Sequence, residues 1–269
     1  MPEGDTVWRT ALHLDRALSG STLLATDFRV PAHATLDLSG RRVQTTLARG
    51  KHLLTRISPP GDATGSGDTL HTHLKMEGSW HLYKPGSRWR RPAHEARVVL
   101  RTEAWTAVGF ALGVVEVLPS DGEHLAVGHL GPDLLGPDWD EQEALRRLLV
   151  DPTRPVADAI LDQRNLAGLG NLYKSELCFL AGLHPRLPVG QVPDLPRLVR
   201  RARSALEANK MRVEQSLTGD LRKGRQRWVY RREGEPCRRC GSAIQVHLQG
   251  TATQERATYW CPRCQPEPT

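Results

Sequence analysis

The sequence lacks the features that are typical of membrane, secreted and repeat proteins. No hydrophobic run approaches the length of a membrane span, and no basic segment precedes an apolar one, as in a secretory signal peptide. Repeats of solenoid period and low-complexity tails are also missing. We therefore expect a cytoplasmic, folded protein with no membrane partner. Its 269 residues, 39% of them hydrophobic, suffice for two domains and a small metal-stabilised appendage.

Cysteine is scarce, and its placement is informative. The chain has five cysteines, and four of them form the pairs Cys237-x-x-Cys240 and Cys261-x-x-Cys264. This spacing is typical of a tetrahedral zinc site, and four thiolates would make it structural because no position is left open for water. So few cysteines in a metal pattern indicate a reducing compartment. Cys178 lies in an apolar run and is predicted to be packed in a core.

Positive charge is concentrated in one part of the chain. Residues 197–239 contain 14 Lys/Arg and 5 acidic residues, a net charge of +9, which leaves −2 for the rest of a chain of net charge +7. Such a block indicates a polyphosphate partner, although it could also be a solvated surface. The interleaved Trp228, Val229 and Tyr230 favour folded structure there, so we expect binding to nucleic acid.

The N-terminus offers an unusual nucleophile. Removal of Met1 would leave Pro2 as a free secondary amine, with the carboxyl group of Glu3 beside it. A secondary amine can attack a sugar carbon and form a cationic iminium. Many proteins begin Met-Pro-Glu for processing reasons alone, so an inert terminus is the alternative interpretation.

Hydrophobic periodicity predicts an α+β protein of three parts. Val7, Ala11, Leu14 and Leu18 indicate a helix over 6–18, and short β-rich stretches follow between Gly/Pro-rich links. The strands are predicted at 21–30, 41–46, 52–57, 69–74, 97–101 and 113–118. Helices are predicted at 140–150, 156–161, 172–181 and 194–209, and a hairpin at 244–248 and 258–260. The domains are an antiparallel β-sandwich over residues 1–120, a helical domain over 130–226 and a zinc ribbon over 228–269.

Several motifs, in the same order along the chain, resemble the Fpg/Nei family of DNA glycosylases. Gly168-Leu169-Gly170-Asn171-Leu172-Tyr173, followed by Glu176 and then by residues 181–185, resembles its helix-two-turns-helix element. The segment 1–4 resembles its N-terminus, 48–54 its catalytic-lysine strand and 73–79 the loop that enters DNA. Residues 234–241 and 256–265 resemble its zinc finger. The resemblance covers nearly the whole chain.

This resemblance implies an enzyme that flips a damaged nucleotide out of the duplex. Pro2 would attack C1′ of that nucleotide, and Glu3 would supply the proton that opens the sugar ring. Lys51, on a predicted strand, would contact phosphate and assist β-elimination, and Arg256 would grip the same backbone and assist the second elimination. The remaining DNA contacts would come from Asn171, Gly170, Met76 and Lys75. One structural zinc ion, a damaged-DNA partner, a monomeric state and a nucleoid-associated location complete these expectations.

The chain departs from the family pattern at three places. Thr6 stands where the family commonly has an acidic residue, with Asp5 beside it. Residues 104–110 lack the arginines of the Asp-Pro-Arg-Arg-Phe motif of the Fpg branch, and residues 75–77 replace the Gln-Leu-Tyr wedge of endonuclease VIII. The endonuclease VIII branch, acting on oxidised pyrimidines with β,δ-elimination, is favoured. An Fpg-like enzyme for oxidised purines, a non-excising binder of abasic sites or single strands, and a zinc-ribbon RNA-binding protein are the alternatives. For Met76, packing in the core is the other interpretation.

Overall fold

The computed structural model describes residues 2–61, 66–249 and 255–267. The chain divides into two compact units, residues 1–129 and 130–269, each with its own core. We call them the N-terminal and the C-terminal unit. The division into three domains predicted from the sequence stays a prediction.

The N-terminal unit is an antiparallel β-sandwich with one long helix. Helix α1 (Gly4–Leu18) begins two residues earlier than predicted and buries the apolar stripe that predicted it. A short helix, α2 (Glu123–Val127), ends the unit. The strands are β1 (Ala25–Phe28), β2 (Val43–Arg49), β3 (His52–Ile57), β4 (Asp68–His73), β5 (Ser79–Tyr83), β6 (Ala96–Arg101), β7 (Thr106–Phe110) and β8 (Val114–Pro119).

The eight strands form two four-stranded sheets. One has the order β1-β6-β7-β5 and the other β2-β3-β4-β8, and all their pairings are antiparallel. Apolar side chains of α1 and of both sheets share one core, which includes Leu14, Leu53, Leu70 and Val98. Burial of these side chains is the main force that holds α1 against β2.

The sequence missed two strands. Every residue of β7 is buried, so the segment shows none of the alternation that marks a half-exposed strand. In β5, Trp80, His81 and Leu82 are all half-buried, which again hides the period of two. Conversely, only four residues of the strand predicted at 21–30 form β1.

The C-terminal unit contains four α-helices and one hairpin among its described residues. The side chain of Asp140 caps α3 by accepting hydrogen bonds from two backbone N–H groups. The side chain of Asp194 caps α6 by accepting a hydrogen bond from one backbone N–H group. Gly182, with φ of 70°, ends α5 in the left-handed conformation that favours glycine. The elements are α3 (Glu141–Leu148), α4 (Val156–Leu161), α5 (Asn171–Ala181), α6 (Leu195–Asn209), β9 (Gln245–Gln249) and β10 (Arg256–Trp260).

Helix α5 is the centre of this unit. All residues from Asn171 to Phe179 are buried, and α4, α6 and β10 pack around the helix. Cys178 lies in this core, as predicted. No helix in the described ranges is long and apolar enough to cross a membrane.

Candidate active site

The start of α1 and the turn between β2 and β3 lie at the same end of the sandwich. Near the end of α1, Asp15 accepts hydrogen bonds from the backbone N–H of Thr46 (2.8 Å) and the hydroxyl of Thr45 (3.0 Å). Glu3 precedes Asp15 by about 18 Å of helix, and Lys51 follows Thr46 by about 17 Å of strand. Because Gly20 N–H bonds the carbonyl of Val43, the helix runs opposite to β2. Its N-terminus therefore lies at the Lys51 end.

Glu3 and Asp5 are buried at this end, whereas Pro2 is partly exposed. The backbone carbonyl of Glu3 accepts the N–H of Val7 (3.0 Å), which makes Glu3 the residue that opens the helix. Asp5 accepts the N–H of Thr6 (2.7 Å). The residue after Pro2 is thus an acidic side chain held in the protein interior at the start of α1.

Lys51 lies in a tight turn and not on a strand, which corrects the expectation from the sequence. Arg49 pairs with His52, so only Gly50 and Lys51 connect β2 to β3. Gly50 has φ of 57°, as required at the first position of such a two-residue hairpin. The hairpin thus places Lys51 at the tip of two paired strands.

A histidine cluster lies next to this turn. The Nδ1 of His52 is 2.8 Å from the Nε2 of His71, and the Nδ1 of His71 is 2.9 Å from a carboxylate oxygen of Glu116. His52 also packs edge-on against His73 at 4.9 Å. Burial, aided by nearby positive charge, lowers the pKa of His52 to about 3 and that of His73 to about 4. Both rings are therefore neutral near pH 7.

The loop from Leu74 to Gly78 leaves β4 at the same end, because His52 pairs with His73. The Nδ1 of His73 accepts the N–H of Lys75 (2.9 Å) and shapes the turn, in which Lys75 has φ of 49°. This turn leaves the side chain of Met76 54% exposed, which excludes packing in the core. Lys75 and Met76 therefore project from the edge where Lys51 and the start of α1 lie.

In the C-terminal unit, a glycine-rich bend leads into α5. Gly168 has φ of 108°, which favours glycine, and its N–H donates to the side chain of Gln163 (3.1 Å). The amide of Gln163 in turn donates to the carbonyl of Leu169 (2.9 Å). Gly170 is the N-cap, and Asn171 is the first residue of the helix. The side chain of Gln163 thus stabilises the bend, which leads directly into the buried helix α5.

Asn171 is held against the strand that carries Arg256. Its Nδ2 donates to the carbonyl of Ala257 (2.7 Å), whereas its buried Oδ1 has no hydrogen-bond partner in the described residues. The fully buried Lys174 donates to the hydroxyl of Thr258 (2.6 Å) on the same strand. Arg256 itself is exposed and makes no ion pair within the described ranges. Two side chains of α5 therefore fix the position of the backbone from which Arg256 projects.

The four paired cysteines converge in this unit. Their sulfur atoms all lie within 4.8 Å of one another, with Cys237 and Cys264 at 4.0 Å and Cys240 and Cys261 at 3.4 Å. Zinc–sulfur bonds of about 2.3 Å would place tetrahedral sulfurs about 3.8 Å apart. The donor set and its spacing thus fit a zinc ion.

Two buried polar side chains connect the cysteine-rich segment, residues 228–265, to α5 and to the turn that follows it. Glu176 accepts the backbone N–H groups of Trp228, Val229 and Tyr230 at 2.8–3.1 Å. Gln265 accepts the N–H of Cys261 (3.0 Å) and donates to the carbonyl of Leu183 (2.7 Å). Residues 228–230 and the second cysteine pair are therefore both anchored to the helical core.

The sequence alone did not identify three residues of these sites. His52 and His71 meet only because adjacent strands pair, and one sequence contains no signal for that pairing. Lys174 was hidden because its neighbours predict an amphipathic helix with an exposed face, whereas α5 is buried all round.

Comparison with known proteins identifies the family of the chain. Residues 1–111 match the formamidopyrimidine-DNA glycosylase N-terminal domain, and residues 130–212 match the formamidopyrimidine-DNA glycosylase H2TH domain. A probable endonuclease 8 2 of Streptomyces coelicolor is 53% identical, covering 100% of this chain and 95% of that protein. The DNA-(apurinic or apyrimidinic site) lyase Nei2 of Mycolicibacterium smegmatis is 50% identical, covering 98% and 99%.

A solved structure shares the fold. The Lactococcus lactis Fpg in complex with abasic-site DNA superimposes with a TM-score of 0.79 at 23% identity, over 99% of this chain and all of that chain. The family models and the relatives at 50–53% identity confirm the resemblance found in the sequence motifs over the whole length: the chain belongs to the Fpg/Nei family, the formamidopyrimidine-DNA glycosylases and endonucleases VIII.

Proposed function

We propose that the protein is a bifunctional DNA glycosylase and abasic-site lyase of the endonuclease VIII branch. The observation that carries this proposal is the shared location of Pro2, Glu3 and Lys51 at one end of the sandwich, beside the loop of Met76. Relatives 48–53% identical carry the names endonuclease 8 and Nei2. The proposed substrate is damaged DNA, acted on at the nucleoid, and a monomer suffices because one chain carries every residue of the mechanism.

The chemistry begins with the amine of Pro2 once Met1 has been removed. Its nitrogen attacks C1′ of the damaged nucleotide, the glycosidic bond breaks, and the base leaves with the bonding electrons and takes up the proton that the amine releases. Glu3 supplies the proton that opens the sugar ring, which leaves a cationic iminium. Burial of Glu3 suits this role because a low-dielectric surrounding disfavours the charged carboxylate. β-Elimination and then δ-elimination cut the strand on both sides of the sugar.

Lys51 and Arg256 are proposed to hold the phosphates that flank the lesion and to assist these eliminations. Asn171 has a second amide hydrogen available beyond the one bound to Ala257, and phosphate oxygens accept such a donor. The N–H of Gly170 and the positive end of the α5 dipole favour the same anion. Met76 is proposed to fill the gap left by the extruded nucleotide, with Lys75 on the adjoining backbone.

One zinc ion is proposed to bind Cys237, Cys240, Cys261 and Cys264. Closed thiolate coordination would fix the hairpin that carries Arg256 and would take no part in the reaction. Purified protein should contain one zinc per chain, and Cys261→Ser should lose the metal and bind DNA more weakly. Normal DNA affinity in a metal-free Cys261→Ser protein would refute the positioning role.

Oxidised pyrimidines are the proposed substrates. The names of the relatives support this choice. The absence of the arginine pair of the Fpg motif supports it as well. Most of the corresponding region, residues 106–110, is a buried strand whose side chains are not available to DNA. Oxidised purines are the alternative.

Borohydride trapping tests the function. Protein with a free Pro2 is incubated with duplexes that carry an abasic site, 5-hydroxycytosine, thymine glycol or 8-oxoguanine, and borohydride reduces any iminium to a stable adduct. A protein with one extra residue before Pro2 is the matched control, because its proline nitrogen is an amide. We expect an adduct at the abasic site with the free N-terminus and none with the extended control. Pro2→Ala should give less adduct. The amounts of adduct formed on the three duplexes with damaged bases should rank these bases as substrates. No adduct from zinc-loaded protein lacking Met1 would indicate a scaffold that binds DNA without cutting it.

A further inference from the structure

The connection between β5 and β6 forms a basic basin outside the site described above. Arg88, Trp89, Arg90 and Arg91 line a cavity of about 590 Å³ together with Arg29, which follows β1. The basin thus gathers four arginines and one aromatic ring within a short stretch of surface.

The charge of this basin is only partly compensated. Arg29 pairs with Asp27 at 2.8 Å, and Arg91 pairs with Glu95. The side chains of Arg88 and Arg90 are exposed, and neither makes an ion pair or a side-chain hydrogen bond in the part of the chain that the structure describes. Two neighbouring guanidinium groups therefore face solvent in a concave surface, which favours a bound anion.

The basin borders the loop that carries Met76. Ser79, the first residue of β5, lies on the same rung of the sheet as Phe110 and Ala96. The Nη1 of Arg91 donates to the carbonyl of Glu77 and to the hydroxyl of Ser79, both at 3.0 Å. A DNA duplex that meets Met76 would therefore extend over the arginines.

Trp89 gives the basin a rigid floor. Its ring packs edge-on against Phe110 at 5.7 Å, and the guanidinium of Arg29 lies 5.5 Å from its centre. A fixed aromatic ring among arginines is typical of surfaces that bind nucleic-acid backbone and bases. A small free anion would need no such ring.

We propose that this basin is a second DNA-binding site, in which Arg88 and Arg90 bind backbone phosphates next to the nucleotide that Met76 replaces. This inference rests on the proposed function for the placement of the DNA. It assigns to the β5–β6 connection a share of DNA affinity and no share of the chemistry.

The test compares two double variants in the zinc-loaded, full-length protein. Arg88→Ala with Arg90→Ala removes the proposed contacts. Arg16→Ala with Arg42→Ala removes two exposed arginines of the same unit, near the end of α1 and the start of β2, at the opposite end of the sandwich. The affinity for a duplex with a tetrahydrofuran abasic analogue is measured by anisotropy from 50 to 300 mM salt.

Each phosphate contact contributes about 0.9 to the slope of log affinity against log salt. The Arg88/Arg90 variant should therefore lose about 1.8 from the slope and bind roughly tenfold more weakly near 100 mM salt. The control should keep the wild-type slope. A wild-type slope in the Arg88/Arg90 variant, or an equal loss in both variants, would overturn the proposal. Failure of borohydride trapping by the wild-type protein would instead overturn the proposed function, because the salt slope does not depend on cleavage.

Discussion

The attachment of residues 228–230 to Glu176 can be tested by changing one atom of the side chain. Glu176 is fully buried, and burial raises the pKa of its carboxyl group while the three backbone N–H donors oppose that rise. Oε1 accepts from Trp228, Val229 and Tyr230, and Oε2 accepts from Trp228 alone. In Glu176→Gln, an amide NH₂ group must replace one of these two acceptors.

The substitution costs less stability if the NH₂ group takes the place of Oε2 than if it takes the place of Oε1, because Oε2 accepts only one hydrogen bond. The new NH₂ group then faces the N–H of Trp228, which lies 2.9 Å from Oε2, and the remaining contacts lose their charge assistance. Loss of hydrogen bonds to a charged group and a buried unpaired donor each cost about 1–3 kcal/mol. We expect Glu176→Gln to destabilise this attachment by about 3 kcal/mol.

Hydrogen exchange of the peptide that covers residues 228–230 measures the effect directly. A local loss of about 3 kcal/mol corresponds to amide exchange faster by roughly two orders of magnitude when exchange follows local opening. Glu207→Gln, a partly exposed glutamate on α6 that pairs with Lys210, is the control and should leave this peptide unchanged. Unchanged protection in Glu176→Gln would refute the assigned role of the carboxylate.

Two further predictions concern the N-terminal unit. In Gly113→Ala, the new Cβ would lie 2.2 Å from the Cγ of Lys75, so we expect a loss of about 1–3 kcal/mol in thermal unfolding. Adding Lys75→Gly should restore the stability of the Gly113→Ala protein, and absence of this rescue would refute the steric cause. Gly122→Ala is the control and should be nearly neutral, because a Cβ there meets only ordinary van der Waals contacts. The second concerns pH: the lowered pKa values of His52 and His73 mean that the unfolded chain takes up protons first as the pH falls below about 6.5. Stability should therefore decrease from pH 7 towards pH 4, by at most about 1.4 kcal/mol per pH unit for each ring. Urea unfolding at pH 7.5 and 5.5 should show a smaller difference for His52→Gln than for wild type, and an equal difference would contradict the burial of a neutral ring.

Much of the fold was accessible from the sequence because local patterns agreed with the final environment. The bounds of β3 and α4 were predicted residue by residue, since each combines a clear apolar pattern with a turn or proline at its border. The four cysteines were assigned to one site because Cys-x-x-Cys spacing is set by metal geometry alone. Pro2, Glu3 and Asn171 were proposed as site residues through motifs, which depend on neighbours in the sequence.

The features that escaped prediction depend on pairing between distant segments. The position of Lys51 in a turn follows from the register of Arg49 with His52, which a one-residue shift would have changed. The brace from Lys174 to Thr258 joins a helix to a strand 84 residues later. The basin of Arg88 and Arg90 exists only because the β5–β6 connection folds back beside residues that precede β5.

The burial of α5 on every side has a consequence for the evolution of this scaffold. Residues 171–179 are all enclosed, so a substitution at any of them would be judged first by whether the helical unit still folds. A descendant that had lost its chemistry would still be obliged to keep this stretch in order to remain folded. Pro2 and Arg256 are at least partly exposed, so a substitution at either position would disturb the packing of the core much less. Where a relative retains α5 but has changed these two positions, the architecture would be kept although both proposed catalytic residues were lost.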